Sequence, residues 1–309
     1  MDRNGFVTIE EATEMKNDVF LNDAAFVPAK KKRNPLIGSH IIILFAVLFV
    51  LLPTYIMLIT SFTSAIEANN AAFRWWPESG LTLSGYIKAF TRKTAGNSLL
   101  RSFGNTMWIY MPATIVGVFV SSMAAFAFAK LDFYLKKPMF AILLASLTLP
   151  NCIGIIASFL MFDAIGWINT ALPLMIPRML GSVGVVFFLR QYFMGIPDDL
   201  VGAASIDGLG EIGVYFKIML PIAVPALISQ FILNFIIGYN DYLPPLLYLQ
   251  NAKMYTLQIS LAFFAEAYVQ DWPLRMAGCV ISMVPLIVLY LISQKYILKG
   301  VAISSGLKG

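Results

Sequence analysis

Five polar residues lie in or beside stretches too apolar for casual charge, and their types define the chemistry on offer. Arg178, in Met175-Ile176-Pro177-Arg178, is a guanidinium inside an apolar run. In hydrocarbon it costs at least about 2.5–3.5 kcal/mol on insertion scales, so it must face a partner, reach an aqueous path or snorkel outward. Its fork of donors also suits bidentate capture of a carboxylate, which points to an acidic sugar as one cargo. Tyr239, Asn240 and Asp241 combine an aromatic face with an amide and a carboxylate, a set able to hold a sugar, and equally able to cap a helix before Pro244-Pro245. Asn234, one to two turns earlier, falls on the same path.

These groups are equipped to bind rather than to catalyse. The chain has one histidine, His40, read as interfacial, and no phosphate-binding Gly-x4-Gly-Lys-Ser/Thr loop, Ser/His/Asp constellation or metal-ligand spacing. No catalytic residue, metal site or cofactor of its own is expected. Cys152 and Cys279 both fall in apolar segments and give no disulfide framework.

A second kind of chemistry is docking. The stretch Ile196 to Pro221 carries Asp198, Asp199, Asp207, Glu211 and Lys217 between two long apolar segments, so it belongs in water between membrane spans. Pro197 suits a first helical turn, and Asp198 and Asp199 complement the positive end of the helix. Ala203 and Ala204 present little side chain, and Gly208 and Gly210 allow a bend that stops this helix near Gly208. Ile212, Tyr215, Phe216 and Met219 recur at helical spacing and predict a second helix with one apolar stripe, ending at Pro221.

What must position these residues is a membrane bundle. Of 309 residues 59% are hydrophobic and 13% charged, with mean hydropathy +0.76. A soluble domain cannot hide that much apolar surface. The net charge of +5 and a pI near 9.1 could suit nucleic acid, but the basic residues cluster beside apolar segments, where membrane topology explains them. Lys30-Lys31-Lys32-Arg33 precedes the first apolar stretch and holds the N-terminus in the cytoplasm. Six spans are expected, at about 36–62, 106–129, 138–162, 171–193, 222–247 and 276–297. Pro150 and Gly154 predict a kink in the third, and Gly117, Ser121 and Ser122 predict close helix packing in the second. Three regions follow: a tail over 1–35, a permease domain over 36–300, and a cytoplasmic end over 301–309. In the tail, Asp2, Asn4, Gly5 and Glu11 match the later part of a calcium-binding loop. The first ligand position would precede Met1, so coincidence is the better reading.

Ala203-Ala204, Gly208, and then Ile218, Leu220 and Pro221 repeat the spacing of the "EAA" loop of ATP-binding-cassette importer permeases. The words Ile206-Asp207-Gly208 and Leu220-Pro221-Ile222 resemble its sugar-importer branch, the six-span permease of the maltose-transporter type with a MetI-like fold. Tyr239-Asn240-Asp241 resembles the aromatic-Asn-acid stretch of that family. The likeness runs from about residue 36 to the C-terminus. One departure stands out: Gly202 occupies the place of the family's glutamate, and Asp199, three residues earlier on the same face, can substitute for it.

The resemblance implies an all-α integral membrane protein of the bacterial inner membrane with both termini in the cytoplasm. It implies a homologous permease subunit as heterodimeric partner, two cytoplasmic ATPase subunits that bind ATP and Mg, an extracytoplasmic solute-binding protein, and a sugar or oligosaccharide as cargo. It makes Asp199, Gly202, Ala203, Ala204, Asp207, Gly208, Ile218, Leu220 and Pro221 the ATPase-coupling residues. Acidic oligosaccharides are the alternative cargo. An ion-gradient transporter is the remote alternative, disfavoured because Asp163 and Asp241 sit at span ends and no internal repeat is visible.

Overall fold

The computed structural model describes residues 36–70, 75–93 and 96–306, and these fold as helices. The basic run ahead of the first span and the calcium-loop likeness lie outside the described residues. The chain divides into two units, Met1–Pro53 and Thr54–Gly309.

Twelve helices carry the argument. They are α1 Leu36–Ser61, α2 Ser84–Thr91, α3 Leu99–Lys130, α4 Lys136–Ser146, α5 Ile155–Ala164, α6 Leu172–Met179, α7 Val183–Met194, α8 Asp198–Ile206, α9 Glu211–Tyr239, α10 Leu243–Tyr248, α11 Leu257–Ala267 and α12 Trp272–Gly306. Among the described residues, five segments are long and apolar enough to cross a membrane: Gly38–Ser61, Leu99–Lys130, Leu172–Met194, Glu211–Tyr239 and Trp272–Lys295.

The expected third span differs. It is not a kinked helix but two short ones, α4 and α5, separated by Leu147 to Pro150 and a 3-10 turn at Asn151–Gly154. Pro150 removes a backbone donor and disfavours helix at Leu149, so the pattern of apolar residues continues where the helix cannot. The fourth span is likewise divided into α6 and α7 at Gly181. The fifth stops at Tyr239 rather than 247 and is followed by α10, while the last helix runs to Gly306, past the boundary expected at 300.

In the first unit, Ile41 to Leu52 present exposed apolar side chains, as suits a segment surrounded by lipid or another apolar surface. In the second unit α3 is the central post. Its buried residues form two clusters. One holds Phe126, Phe128, Leu189, Phe193, Val214, Tyr215 and Met219, at the end that meets the 196–221 loop. The other holds Leu99, Ile109, Tyr110, Phe235, Tyr239, Leu257 and Leu274, toward the opposite end. Two polar groups of α3 are paired with α11: Ser102 Oγ lies 2.6 Å from Ser260 Oγ, and the Thr106 hydroxyl accepts the Leu257 N–H at 2.8 Å.

Candidate functional site

Two sites emerge, and α9 joins them. The first is the polar loop. Helix α8 begins directly after Pro197, with Asp198 and Asp199 in its first turn, as expected. It ends in a Schellman closure: the Leu209 N–H donates to the Ala204 carbonyl at 3.0 Å, and the Gly208 N–H to that of Ser205 at 3.1 Å. Gly208 supplies the left-handed conformation this closure needs, at φ +82°. The spacing of Ala204 and Gly208 is thus the spacing of a helix stop. Ala204 is buried in the cluster at the loop end of the post, whereas Asp199, Gly202, Ala203 and Asp207 are exposed. They form an outward face, joined by Ile206 at 88% and Ile212 at 76% exposure. Apolar side chains so displayed in an acidic loop mark a contact surface.

The second helix of the loop departs from expectation in two ways. It does not end at Pro221 but continues as one helix to Tyr239, and its first part includes a π turn at Tyr215–Met219. Pro221 and Pro225 lack the N–H groups that would close α-turns onto Lys217 and Pro221, so the backbone upstream is released to widen. Nor do the four apolar residues form one stripe: Tyr215 and Met219 are buried, and Ile212 and Phe216 are exposed. Ile218 and Leu220 pack partly buried on the cluster. Tyr215 Oη lies 2.6 Å from Ser122 Oγ of α3, and the Tyr192 hydroxyl of α7 donates to the Ile222 carbonyl at 3.1 Å.

The start of the loop is held by Lys130, at the end of α3, whose side chain is 5% exposed. Its ammonium donates to the Ile196 carbonyl at 2.6 Å and to the Asp198 carboxylate. Lys130 keeps that carboxyl below the usual aspartate range. Arg190 of α7 adds a bond from Nε to the Phe128 carbonyl at 3.1 Å while lying over the Phe140 ring. Sequence reasoning read Lys130 only as a topology signal. Its position at a span end was visible, but its carbonyl partner 66 residues away was not.

Gly202 has open space where a Cβ would stand. Gly202→Ala should therefore stabilise α8 by up to about 1 kcal/mol, seen as a rise in thermal unfolding temperature of the complex. Asp199→Ala tests the substitute contact: a drop in ATP hydrolysis with no loss of stability is the expected result.

The second site is a cavity of about 950 Å³ lined by α3, α4 to α7, α9 and α10. Arg178, Asn234 and Asp241 all reach its wall, so three of the five candidate path residues come together. Arg178 Nη1 donates to the Asn234 carbonyl at 3.1 Å, and its guanidinium lies 5.1 Å from the centre of the Tyr110 ring. The Tyr110 hydroxyl faces Asp241 Oδ2 at 3.4 Å. Gly238 makes room for this arrangement, because a Cβ there would stand 2.6 Å from the Tyr110 ring and 3.1 Å from Arg178 Cζ.

The other two candidates point elsewhere. Tyr239 is 1% exposed and donates to the Ser282 carbonyl of α12 at 2.8 Å, which makes it a packing residue between the fifth and last spans. Asn240 is exposed and contacts Gln258 at 3.4 Å. Tyr110 and Thr114, absent from the expected set, stand one turn apart on α3 and both line the cavity. They carry no signal in an apolar run other than their own polarity.

A helical membrane bundle with an ordered, Schellman-closed polar loop between its spans and one helix running from that loop to a lined cavity is the architecture of a permease subunit. The chain belongs to the family of binding-protein-dependent transport system inner membrane components, whose model matches residues 117–303. It is 31% identical over 283 residues to the arabinooligosaccharides transport system permease protein AraQ of Halalkalibacterium halodurans, covering 91% of this chain and all of that one. It is 30% identical over 265 residues to the trehalose/maltose transport system permease protein MalG of Thermococcus litoralis, covering 84% and 92%. Among solved structures, a chain of a bacterial ABC transporter involved in the import of the acidic polysaccharide alginate shares the fold at a TM-score of 0.69 and 21% identity, over 95% of this chain and 99% of that one.

Proposed function

We propose that this chain is one half of the membrane pore of an ATP-driven importer of sugars or oligosaccharides. The observation that carries this reading is α9, a single helix of 29 residues from Glu211 to Tyr239. At about 1.5 Å per residue it spans roughly 43 Å. One end belongs to the exposed docking loop. The other carries Asn234 to the cavity, with Asp241 two residues past its end. A displacement imposed on the loop is thereby delivered to the cargo cavity. The names of the sugar-transporting relatives support the cargo class.

In this reading a homologous permease subunit supplies the other half of the pore, two cytoplasmic ATPase subunits hold ATP and Mg and perform the hydrolysis, and a solute-binding protein delivers cargo from outside. This chain itself is non-catalytic. Both termini lie in the cytoplasm, on the side of the 196–221 loop. Closure of the ATPases moves α8 and the start of α9, and the bundle alternates between inward-facing and outward-facing states.

The test is ATP hydrolysis by the complete complex in lipid, with its binding protein, titrated against neutral and acidic oligosaccharides. Stimulation by sugar of either charge, abolished in Gly208→Val, is the expected result. Hydrolysis that no sugar raises would remove the cargo assignment. Transport that requires an ion gradient and no ATP would remove the importer reading itself.

A further inference from the structure

We infer that the 950 Å³ cavity is a site for the uncharged, polyhydroxylated part of the cargo, with Asp241 as the residue that makes it selective for neutral sugars by offsetting the charge of Arg178. The inference rests on the importer reading and narrows its cargo.

Among the described residues the cavity wall carries one cation, Arg178, and one carboxylate, Asp241. The cation is already engaged. It donates to the Asn234 carbonyl at 3.1 Å and rests on the Tyr110 ring, and the same ring places its hydroxyl 3.4 Å from Asp241. Tyr110 thus has a guanidinium over its face and a carboxylate at its hydroxyl. Arg178 has no room to advance on the side of α9, where Gly238 is already in close approach. A carboxylated sugar needs an uncompensated cation to offset its lost hydration, and here the net charge of the wall is zero. Coulomb effects inside such a cavity are screened far less than in water, so repulsion from Asp241 would oppose the attraction of Arg178 for an added negative charge.

The rest of the wall is suited to hydroxyl groups. Thr114 is 2% exposed, lines the cavity, and its Oγ1 has no hydrogen-bond partner. It is an unsatisfied donor and acceptor just beneath the cavity surface. Ser158 and Ser182 add two further hydroxyl-bearing residues, and Tyr248 and Phe162 add aromatic lining. Hydroxyls with aromatic faces and no net charge match a neutral sugar ring.

The experiment uses the complete complex in lipid vesicles, with Ser158→Cys as reporter in a background of Cys152→Ala and Cys279→Ala, and Ser146→Cys, also on the cavity wall, as a second reporter should the first not assemble. Labelling rates are compared for anionic, cationic and neutral methanethiosulfonates. Rates for the two charged reagents should agree within a few-fold. Asp241→Asn should favour the anionic reagent on the order of tenfold, and Arg178→Gln the cationic one, as for one unit charge about 10 Å away in a medium of dielectric ~20.

Arabinotriose or maltotriose at millimolar concentration should slow labelling, and an acidic trisaccharide such as trigalacturonate should not. Three results would overturn the assignment: a strong preference for the anionic reagent in the parent complex, protection by trigalacturonate alone, or no protection by either sugar. Failure of the importer reading is seen separately, as absence of sugar-stimulated ATP hydrolysis in the same vesicles.

Discussion

Gly117→Leu should prevent α3 from packing against α6 and deplete folded permease from the membrane, with a stability loss of about 3 kcal/mol or more, at the upper end for overpacking. A Cβ at Gly117 would stand 2.2 Å from the Arg178 carbonyl oxygen and 3.3 Å from its carbonyl carbon. That neighbour is backbone, so no rotamer change relieves the clash and the two helices must separate. Separation also breaks the local lock: Ser121 Oγ donates to the Gly117 carbonyl at 2.7 Å and accepts the Ser182 N–H at 2.9 Å. The same displacement carries Arg178 away from Tyr110, so surviving protein should transport poorly. Gly104→Leu is the control. Gly104 lies on the same helix with nothing near its Cβ position, and there leucine should be neutral or slightly stabilising. Membrane abundance and thermal unfolding temperature of the two variants are the measurements; equal behaviour would sink the close-packing argument.

Much of this was legible in the sequence because its signals are local. Apolar runs longer than about 20 residues locate spans whether or not their packing is known. The loop was legible for the same reason: a Schellman closure favours a residue tolerant of positive φ directly after the helix cap, and Gly208, four positions after Ala204, writes that preference into the sequence. The breaks in the third and fourth spans were harder to read. Hydropathy does not distinguish one helix of 25 residues from two helices of about 10 joined by an apolar connection, and Pro150 was compatible with either a kink or a stop.

The cavity was legible only in part, and the reason is rotational. Arg178, Asn234 and Asp241 are far apart in sequence, and their convergence depends on which face each helix turns inward. Tyr239 and Asp241 differ by two positions, and across the end of α9 that is enough to send one toward α12 and the other to the cavity. A run of three candidate residues at a helix end thus splits between packing and lining. Tyr110 and Thr114 were overlooked although they share a face of α3 with Gly117 and Ser121, because small residues announce close helix packing and not that the packed face continues as a cavity wall.

Lys130→Met should uncouple ATP hydrolysis from transport while leaving the bundle assembled. The methionine keeps most of the aliphatic stem, so packing at the end of α3 persists, but the Ile196 carbonyl loses its charged donor in a buried position. An acceptor left unsatisfied there costs about 1–3 kcal/mol, directed at the entrance of α8 rather than at the core. Asp198→Asn should do much less, because that carboxylate is fully exposed and its contact is screened by water. The comparison separates the two functions of one ammonium: holding the chain at Ile196 and pairing with Asp198. It also fixes the pH response. Lys130 lowers the folded-state pKa of Asp198, so the pairing is fully present above the unfolded value and is lost only as pH falls through the lowered one. Coupling through Lys130 should accordingly hold unchanged from neutral pH down to the ordinary aspartate range. The measurement is the number of sugars imported per ATP hydrolysed in vesicles. The expected result is near-normal hydrolysis with a several-fold fall in that ratio for Lys130→Met and little change for Asp198→Asn. A ratio unchanged in both would mean that force reaches the bundle through Tyr215, Ser122 and the buried start of α9 alone.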